Sequence, residues 1–411
     1  MAARIKQVNK DIPLVWGGYH PTLEPEQVLQ NASVDYVIRG EGEHTLTELL
    51  GGFRSGTSEG FEKIAGLSFK RNGQFIHNPP RPHSDLNDFP MADYLLYDDY
   101  LKRQKAIPFI SSRRCPFDCR FCCSSAFNHQ QGRRSRLLSL ENILRDLDFL
   151  VNRYKPDVIE FIDDNFLSNR TMLAKFVVAY RERGYTFRWW ARARCDFFLR
   201  LDDQLIQSLC DIGLIKIDFG VESGSQRILD LVRKRSDVEL VLQAVRRAAS
   251  FGLWNYCTFM NGIPGETLEE VGMSVQLRND IMRVSPNSQV EFFVFTPLPG
   301  TELLEECQKM GFSLPQRLED YAGYHFHHFR APWLSAKHQR LVTAISWASF
   351  FDIYNIEHYN WYLRWPGRIL KRVARWLFKH NAFGFAPEFL IANAVYAAKS
   401  LKHEKTLMAL H

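Results

Sequence analysis

The sequence predicts an α/β protein built on a parallel sheet, with a partial α/β segment before it and a helical region after it. Three observations carry this. Six strand-like runs alternate with helical stretches from Pro108 to about Pro299, the rhythm of strand–helix crossovers that parallel strands require. Before residue 60, short apolar runs end in glycines, as strands of an open α/β sheet do. Beyond residue 300 the alternation stops. At 411 residues and 45% hydrophobic, the chain can bury a sizeable core in two or three domains. The shifts in pattern place boundaries at 1–60, 61–104, 105–302 and 303–411.

In chain order, Ile12-Pro-Leu-Val-Trp16 is a strand-like run ending in Gly17-Gly18. A helix starts at Pro25, Val34–Ile38 is a buried-type strand, and Arg39-Gly-Glu-Gly-Glu43 leads into a helix. Residues 62–78 read as a hairpin, with Gly66–Lys70 and Gln74–His77 flanking Asn72-Gly73, a favoured tight-turn pair. An extended linker runs from Asn78 to Pro90. Strands are expected near 108–112, 157–163, 186–192, 214–220, 254–260 and 289–296, and helices at 139–154, 170–183 and 267–283. A parallel sheet carries its site at the strands' C-terminal ends. Helices are also expected at 336–356 and 386–403. Between them, Ile369, Leu370, Val373, Trp376 and Leu377 recur at helical spacing, with Arg368, Lys371, Arg372, Arg375 and Lys379 around them. A basic amphipathic helix can lie on an anionic membrane, but packing on its own protein is the reading preferred here.

The net charge of +6 is mild for this length and gives no reason to expect a nucleic-acid partner. No apolar run reaches about 18 residues, so no membrane span is expected. No secretion signal is seen, so the expected location is the cytoplasm, with peripheral contact at the inner face of the membrane as the alternative. There thiols stay reduced.

The most informative run is Cys115-Pro-Phe-Asp-Cys119-Arg-Phe-Cys122. Three thiolates this close can wrap one inorganic centre, and a four-iron cubane held by three protein ligands keeps one iron open for a cosubstrate. A zinc site would normally add a second short ligand pair, which is not seen. Cys123 is a candidate fourth ligand, though adjacent residues seldom serve one metal. Cys195, Cys210, Cys257 and Cys307 read as small buried residues. His325, His327 and His328 lie close together, where hydrogen-bonded histidines are preferred over a metal role.

This spacing, with Phe121 at the aromatic position, resembles the radical S-adenosylmethionine (SAM) superfamily. The resemblance implies a [4Fe–4S] cluster on Cys115, Cys119 and Cys122, with SAM chelated at the open iron and cleaved reductively to a 5′-deoxyadenosyl radical. It also implies an open six-stranded partial TIM barrel, where on sequence physics alone a doubly wound sheet fits almost as well. SAM contacts follow residue by residue. Asp163 or Asp164 at the second strand end would face the SAM amino group or substrate. Arg192 or Arg194, on one face by alternation, would grip the methionine carboxylate. Glu222, with Ser223 beside it in Gly220-Val-Glu-Ser-Gly-Ser225, would bond the ribose. Ile263 in Gly262-Ile-Pro-Gly-Glu-Thr267 would pack the adenine. Ser225 and Thr267 also suit helix caps. Thr296-Pro-Leu-Pro-Gly-Thr301 resembles a turn of the same branch.

Gly17-Gly-Tyr-His-Pro-Thr22 and Asp35–Glu43 resemble the C-terminal half of the Rossmann-like cobalamin-binding domain that precedes the barrel in one branch. Gly17 and Gly18 are the residues nearest a cobalamin contact. The cobalt-ligating Asp-any-His motif has no match before Gly17, so weak cobalamin binding or none is expected. The function implied is radical SAM chemistry: methylation, cyclisation or rearrangement of an unactivated small molecule. Such an enzyme needs an electron donor such as flavodoxin or ferredoxin. The 13% aromatic content and basic helix hint at a bulky or lipid-like substrate. Cobalamin-independent oxidoreductase chemistry is the runner-up, and a non-catalytic cluster- or zinc-binding remnant is the reading from another class.

Overall fold

The computed structural model describes residues 2–56, 60–131, 135–327, 329–353 and 361–383. Its contacts divide the chain into two interleaved units. One comprises residues 1–90, 113–137 and 297–324; the other comprises 91–112, 138–296 and 325–411.

The first unit is centred on a four-stranded sheet in the order β1 (Val15–Gly17), β2 (Tyr36–Ile38), β3 (Leu67–Arg71), β4 (Gln74–His77). β1 and β2 are parallel, and β2–β3 and β3–β4 antiparallel. Asn72 and Gly73 both take positive φ, 51° and 78°, so the turn has the mirror-image form whose twist matches the strands. Val28, Leu29, Val34 and Val37 form one small core; Ile38, Leu49, Phe61, Leu67 and Phe69 form another. The Thr22 hydroxyl joins the two glycine turns. It donates to the Gly18 carbonyl (2.7 Å) and accepts from the Gly40 N–H (2.9 Å).

The second unit carries six parallel strands. They begin with β5 (Ala106–Phe109). Next in chain order, the two-residue strands β6 (Ser112–Arg113) and β7 (Arg136–Leu137) form a separate two-stranded sheet, of which residues 113–137 belong to the first unit. The sheet continues with β8 (Val158–Phe161), β9 (Arg188–Ala193), β10 (Leu214–Glu222), β11 (Trp254–Asn261) and β12 (Gln289–Val294). The order is β5-β8-β9-β10-β11-β12, each strand beside the next in sequence. Parallel crossovers are almost always right-handed. A monotonic order therefore puts the crossover helices on one face, whereas a doubly wound sheet reverses order and covers both. The doubly wound alternative is excluded on this ground.

The two edges stay apart and are protected differently. β5 carries Pro108, tolerated on an edge strand. β12 is sealed by helix Ala336–Ile353, where Ser349 Oγ accepts the Phe292 N–H (2.8 Å) and Ser346 Oγ donates to the Phe292 carbonyl (2.7 Å). Helix starts are fixed by caps at Ser139, Asn169, Asp202 and Ser225, and by a full capping box of Thr267 with Glu270.

Burial alternates along the strands. Ile159, Phe161, Trp189, Ile217, Phe219, Cys257, Phe259 and Phe292 are buried on the helix-packed face. Cys195, Cys257 and Cys307 are buried as expected, but Cys210 is half-buried.

Helix Trp361–His380 departs from its expected stripe. Ala374, Leu377 and Phe378 are buried, whereas Trp376 is 55% and Ile369 39% exposed. The packed stripe is therefore rotated from the one expected, and Trp376 shares the solvent side with Arg372 and Lys379. The expected helix 386–403 and His328 lie outside the described residues. No helix among the described residues is long and apolar enough to cross a membrane.

Candidate active site

The cysteine loop belongs to the first unit. Cys119 is buried; Cys115, Cys122 and Cys123 are half-buried. The loop folds back on itself. The Cys122 N–H donates to the Cys119 carbonyl (3.1 Å), and the buried Asn128 amide donates to the Cys115 carbonyl (2.8 Å). Helix Cys123–Gln131 begins directly after Cys122.

Glu41 anchors both stems of the loop. It pairs with Arg113 (3.6 Å) and Arg114 (3.9 Å) before the cysteines and with Arg136 after them. Arg114 also reaches His83 Nδ1 (3.1 Å) and lies over Phe127 (5.3 Å). Arg120 pairs with Glu302 and Glu306, and its carbonyl accepts the Leu303 N–H (3.1 Å). Glu41 was legible only as part of a glycine-rich cobalamin-like string, because its arginine partners are 72 or more residues away.

The donor set fits an iron–sulfur cubane: three thiols in one short loop, none in a disulfide. Among the described residues, no three Cys, His, Asp or Glu side chains gather as ligands of one metal ion. A cubane does not need that, because each thiolate bonds a different iron.

The candidate SAM contacts lie in the second unit and take distinct positions. Asp163 is buried. Its carboxylate accepts the Ser111 N–H (3.0 Å) and hydroxyl (3.0 Å) and the Ser112 hydroxyl. It holds the chain leaving β5. Asp164 is exposed.

Arg192 and Arg194 do not share an environment. Arg192 is exposed in β9 and donates to the Ile162 carbonyl (3.3 Å). Arg194 lies past the strand end, buried, and donates to the carbonyls of Lys234 (2.7 Å) and Arg235 (2.6 Å) while pairing with Asp196 (2.9 Å). Alternation placed them on one face, but the strand stops at Ala193.

Glu222 follows a bulge in β10, has φ 69°, and pairs with the largely buried Lys234 at 2.7 Å. A Cβ at Gly220 would stand 2.8 Å from Glu222 Oε1 and 2.9 Å from Lys234 Nζ, so a side chain there would push this pair aside. Ser223 is fully buried and its hydroxyl accepts the Ser225 N–H (3.1 Å). Ile263 is fully buried in its turn. There, Glu266 accepts the Gly262 N–H, and Trp333 Nε1 donates to the Gly262 carbonyl (2.9 Å).

The Glu266 carboxyl is pushed up to about 8, by burial first and by Glu270 next, against the pull of the Gly262 and Ile263 N–H groups and Arg227. The folded state thus keeps a proton that the unfolded chain loses near the ordinary carboxylate range. Its contribution to stability is complete below about pH 4.5 and is lost as pH rises toward 8. Glu266→Gln is expected to match the parent near pH 5 and to exceed it by roughly 3 kcal/mol near pH 8. Denaturant unfolding at both pH values checks this; an equal difference at both contradicts it.

The other sheet face was missed. Glu160, Trp190, Arg192, Lys216, Asp218, Tyr256 and Glu291 lie on it, strand by strand. They form a connected ladder. Trp190 Nε1 donates to Glu160 (3.1 Å), Lys216 Nζ stands 3.9 Å from the Trp190 ring centroid and 2.9 Å from Asp218, and the Tyr256 hydroxyl donates to Glu291. Burial raises the carboxyls of Asp218 and Glu291, and Lys216 and Tyr256 respectively pull them back. Parallel strands covered on both faces read as continuous apolar runs. Ile215-Lys-Ile-Asp-Phe219 alternates instead, a sign that one face is left for a ligand.

Residues 109–277 match the radical SAM superfamily, and residues 1–50 match the B12 binding domain. Over 307 residues the chain is 33% identical to an uncharacterised methyltransferase of Pyrococcus horikoshii, covering 73% of this chain and 64% of that protein. Over 310 residues it is 26% identical to the anaerobic magnesium-protoporphyrin IX monomethyl ester cyclase of Rubrivivax gelatinosus, covering 73% of this chain and 54% of that one. The cobalamin-dependent SAM radical enzyme OxsB, solved with aqua-cobalamin and SAM bound, superposes with a TM-score of 0.70 at 17% identity, over 97% of this chain and 64% of that one. The chain spans less than two thirds of the length of each. The likeness to OxsB makes the singly wound sheet an open six-stranded partial barrel. Motif order, strand order and sequence likeness agree: the chain belongs to the radical SAM superfamily, in the branch that carries a B12-binding domain.

Proposed function

We propose that this chain binds a [4Fe–4S] cluster through Cys115, Cys119 and Cys122 and works as a radical SAM enzyme that methylates, cyclises or rearranges an unactivated small molecule. The observation that carries this is the three-thiol loop, which follows the first strand of a singly wound parallel sheet in chain order. The cluster, when bound, supplies the electron that cleaves SAM to a 5′-deoxyadenosyl radical.

The chain's own residues bind and orient. Arg192 is the better placed arginine for the SAM carboxylate, because the Arg194 guanidinium already serves two carbonyls and Asp196. Glu222, held by Lys234, is oriented for ribose hydroxyls, with Ser223 stiffening the turn behind it. Ile263 is fully buried, so it supports the Gly262–Thr267 turn from within and offers adenine no side-chain surface of its own. Asp163 acts through Ser111 and Ser112 on the stem that leads to the cysteines, and Asp164 is the exposed member of the acidic pair.

The relatives' names, a methyltransferase and a ring-forming cyclase, support group transfer or cyclisation. The ladder of charged and hydrogen-bonding residues favours a substrate with polar groups over a bare lipid tail. Residues 1–50 offer cobalamin two parallel strands ending in glycine turns. An electron donor such as flavodoxin or ferredoxin completes the system.

Anaerobic reconstitution with iron and sulfide, reduction, and addition of SAM tests the reading. The expected result is a brown protein that releases 5′-deoxyadenosine. A colourless protein holding one zinc, with SAM left intact, would overturn it.

A further inference from the structure

The polar ladder ends on a pair that the proposed SAM contacts do not use. Glu291 sits on β12, 8% exposed, and accepts the Tyr256 hydroxyl proton on Oε2. Its other oxygen, Oε1, lies 3.6 Å from His327 Nε2. His327 Nδ1 lies 2.8 Å from Ser346 Oγ. Ser346 has one hydroxyl proton, and that proton goes to the Phe292 carbonyl (2.7 Å), which can only accept. His327 Nδ1 must therefore carry a proton and donate it to Ser346. A neutral imidazole protonated at Nδ1 presents a bare lone pair at Nε2. That lone pair would face a carboxylate oxygen in a poorly solvated place. The His327 ring is walled by Phe293, Trp347 and Phe350, with centroids 5.3–5.4 Å away. Two facing lone pairs repel there, and one proton between them removes the conflict.

We propose that Glu291 and His327 share one proton and serve, through the Tyr256 hydroxyl, as an acid–base pair on the polar face of the barrel sheet. The pair is neutral overall, either as imidazolium with carboxylate or as imidazole with carboxylic acid. Acting as base, it takes a proton from a substrate group bonded to Tyr256 Oη. The Tyr256 hydroxyl passes its own proton to Glu291 Oε2 while the shared proton stays on His327 Nε2. The reverse movement returns it, and no electron is transferred. Among the described residues, the charged or titratable groups facing the pair are Tyr256 on β11, with Asp218 and Arg192 acting on Tyr256 and Lys216 Nζ 5.5 Å from its ring centroid, and His325 on the His327 segment, its ring centroid 5.5 Å from that of His327. This use of the proton rests on the proposed radical SAM function. The shared proton itself is a property of the chain and is read without cluster, SAM or substrate.

The test is nitrogen NMR of the full chain carrying ¹⁵N-histidine, with His327 assigned by comparison with His327→Gln. In the parent, His327 is expected to keep a proton on Nδ1 throughout and to titrate above the ordinary histidine range. Glu291→Gln is expected to lower that midpoint by about one pH unit or more, because the carboxylate that favours the imidazolium is gone. The Nδ1 tautomer needs no variant, so a poorly folding substitution leaves the test intact. A proton on Nε2 with Nδ1 bare, or a midpoint that Glu291→Gln does not move, would overturn the proposal. Loss of SAM cleavage with these signals intact would instead strike the radical SAM reading.

Discussion

Alanine at any one of Cys115, Cys119 or Cys122 is expected to abolish SAM cleavage, while alanine at Cys123 leaves it largely intact. A cubane that loses one of three thiolates is held by two, and a second exposed iron destroys the defined open position on which SAM chelation depends. The local structure separates the four cysteines. Cys119 and Cys122 stand at the two ends of a turn closed by their own backbone hydrogen bond. Cys115 is fixed through its carbonyl by Asn128. Cys123 is the first residue of the following helix, so its direction is set by helical geometry. Iron and sulfide content, charge-transfer absorption and 5′-deoxyadenosine release, measured on the four variants side by side, check this. Equal loss at Cys123 would contradict the ligand assignment.

Asp352→Ala is expected to destabilise the second unit by about 3–5 kcal/mol. Asp352, at the end of helix Ala336–Ile353, is 7% exposed and pairs with Arg278 of helix Leu268–Val284, itself 6% exposed. Arg375 of helix Trp361–His380 donates to the same carboxylate (2.8 Å). One carboxylate thus ties three helices, and the Arg278 guanidinium lies 4.1 Å from the Phe378 ring centroid. Removing the acid leaves that guanidinium buried without a counter-charge, which costs far more than the loss of an exposed pair. Replacing both partners, as Arg278→Met with Asp352→Leu, is expected to recover most of the loss, because no buried charge then remains. Chemical denaturation of the parent, single and double variants checks this; a single variant within about 1 kcal/mol of the parent contradicts it.

Much of the fold was legible because hydrophobic runs of β-branched and aromatic residues mark strands locally. All six barrel strands fall within a few residues of their expected positions, and Asn72-Gly73 forms the turn its residue types demand. The cysteine loop was legible for a similar reason: its meaning lies in spacing along eight residues of chain.

What the sequence hid depends on contacts between distant segments. Glu41 and its three arginines, Glu222 with Lys234, and Glu291 with His327 are joined only once the chain has folded. Arg192 and Arg194 looked equivalent because alternation was extended past the last strand residue. The rotated stripe on helix Trp361–His380 has a comparable cause. Periodicity marked a helix but ranked Trp376 as core by its ring, whereas Arg375 binding Asp352 turns the neighbouring surface outward. The polar ladder was readable in principle. Alternation within strands of a parallel sheet implies one open face, and that inference needs the sheet to be known as singly wound.

The central claim is an iron left open beside three thiolates. Its most direct test is electron paramagnetic resonance of the reconstituted, reduced protein, recorded with and without SAM labelled at its amino nitrogen and carboxylate oxygen. The account predicts that SAM changes the cluster signal and that hyperfine coupling to both labels appears. A signal that saturating SAM leaves unchanged, with neither coupling detectable, would contradict it.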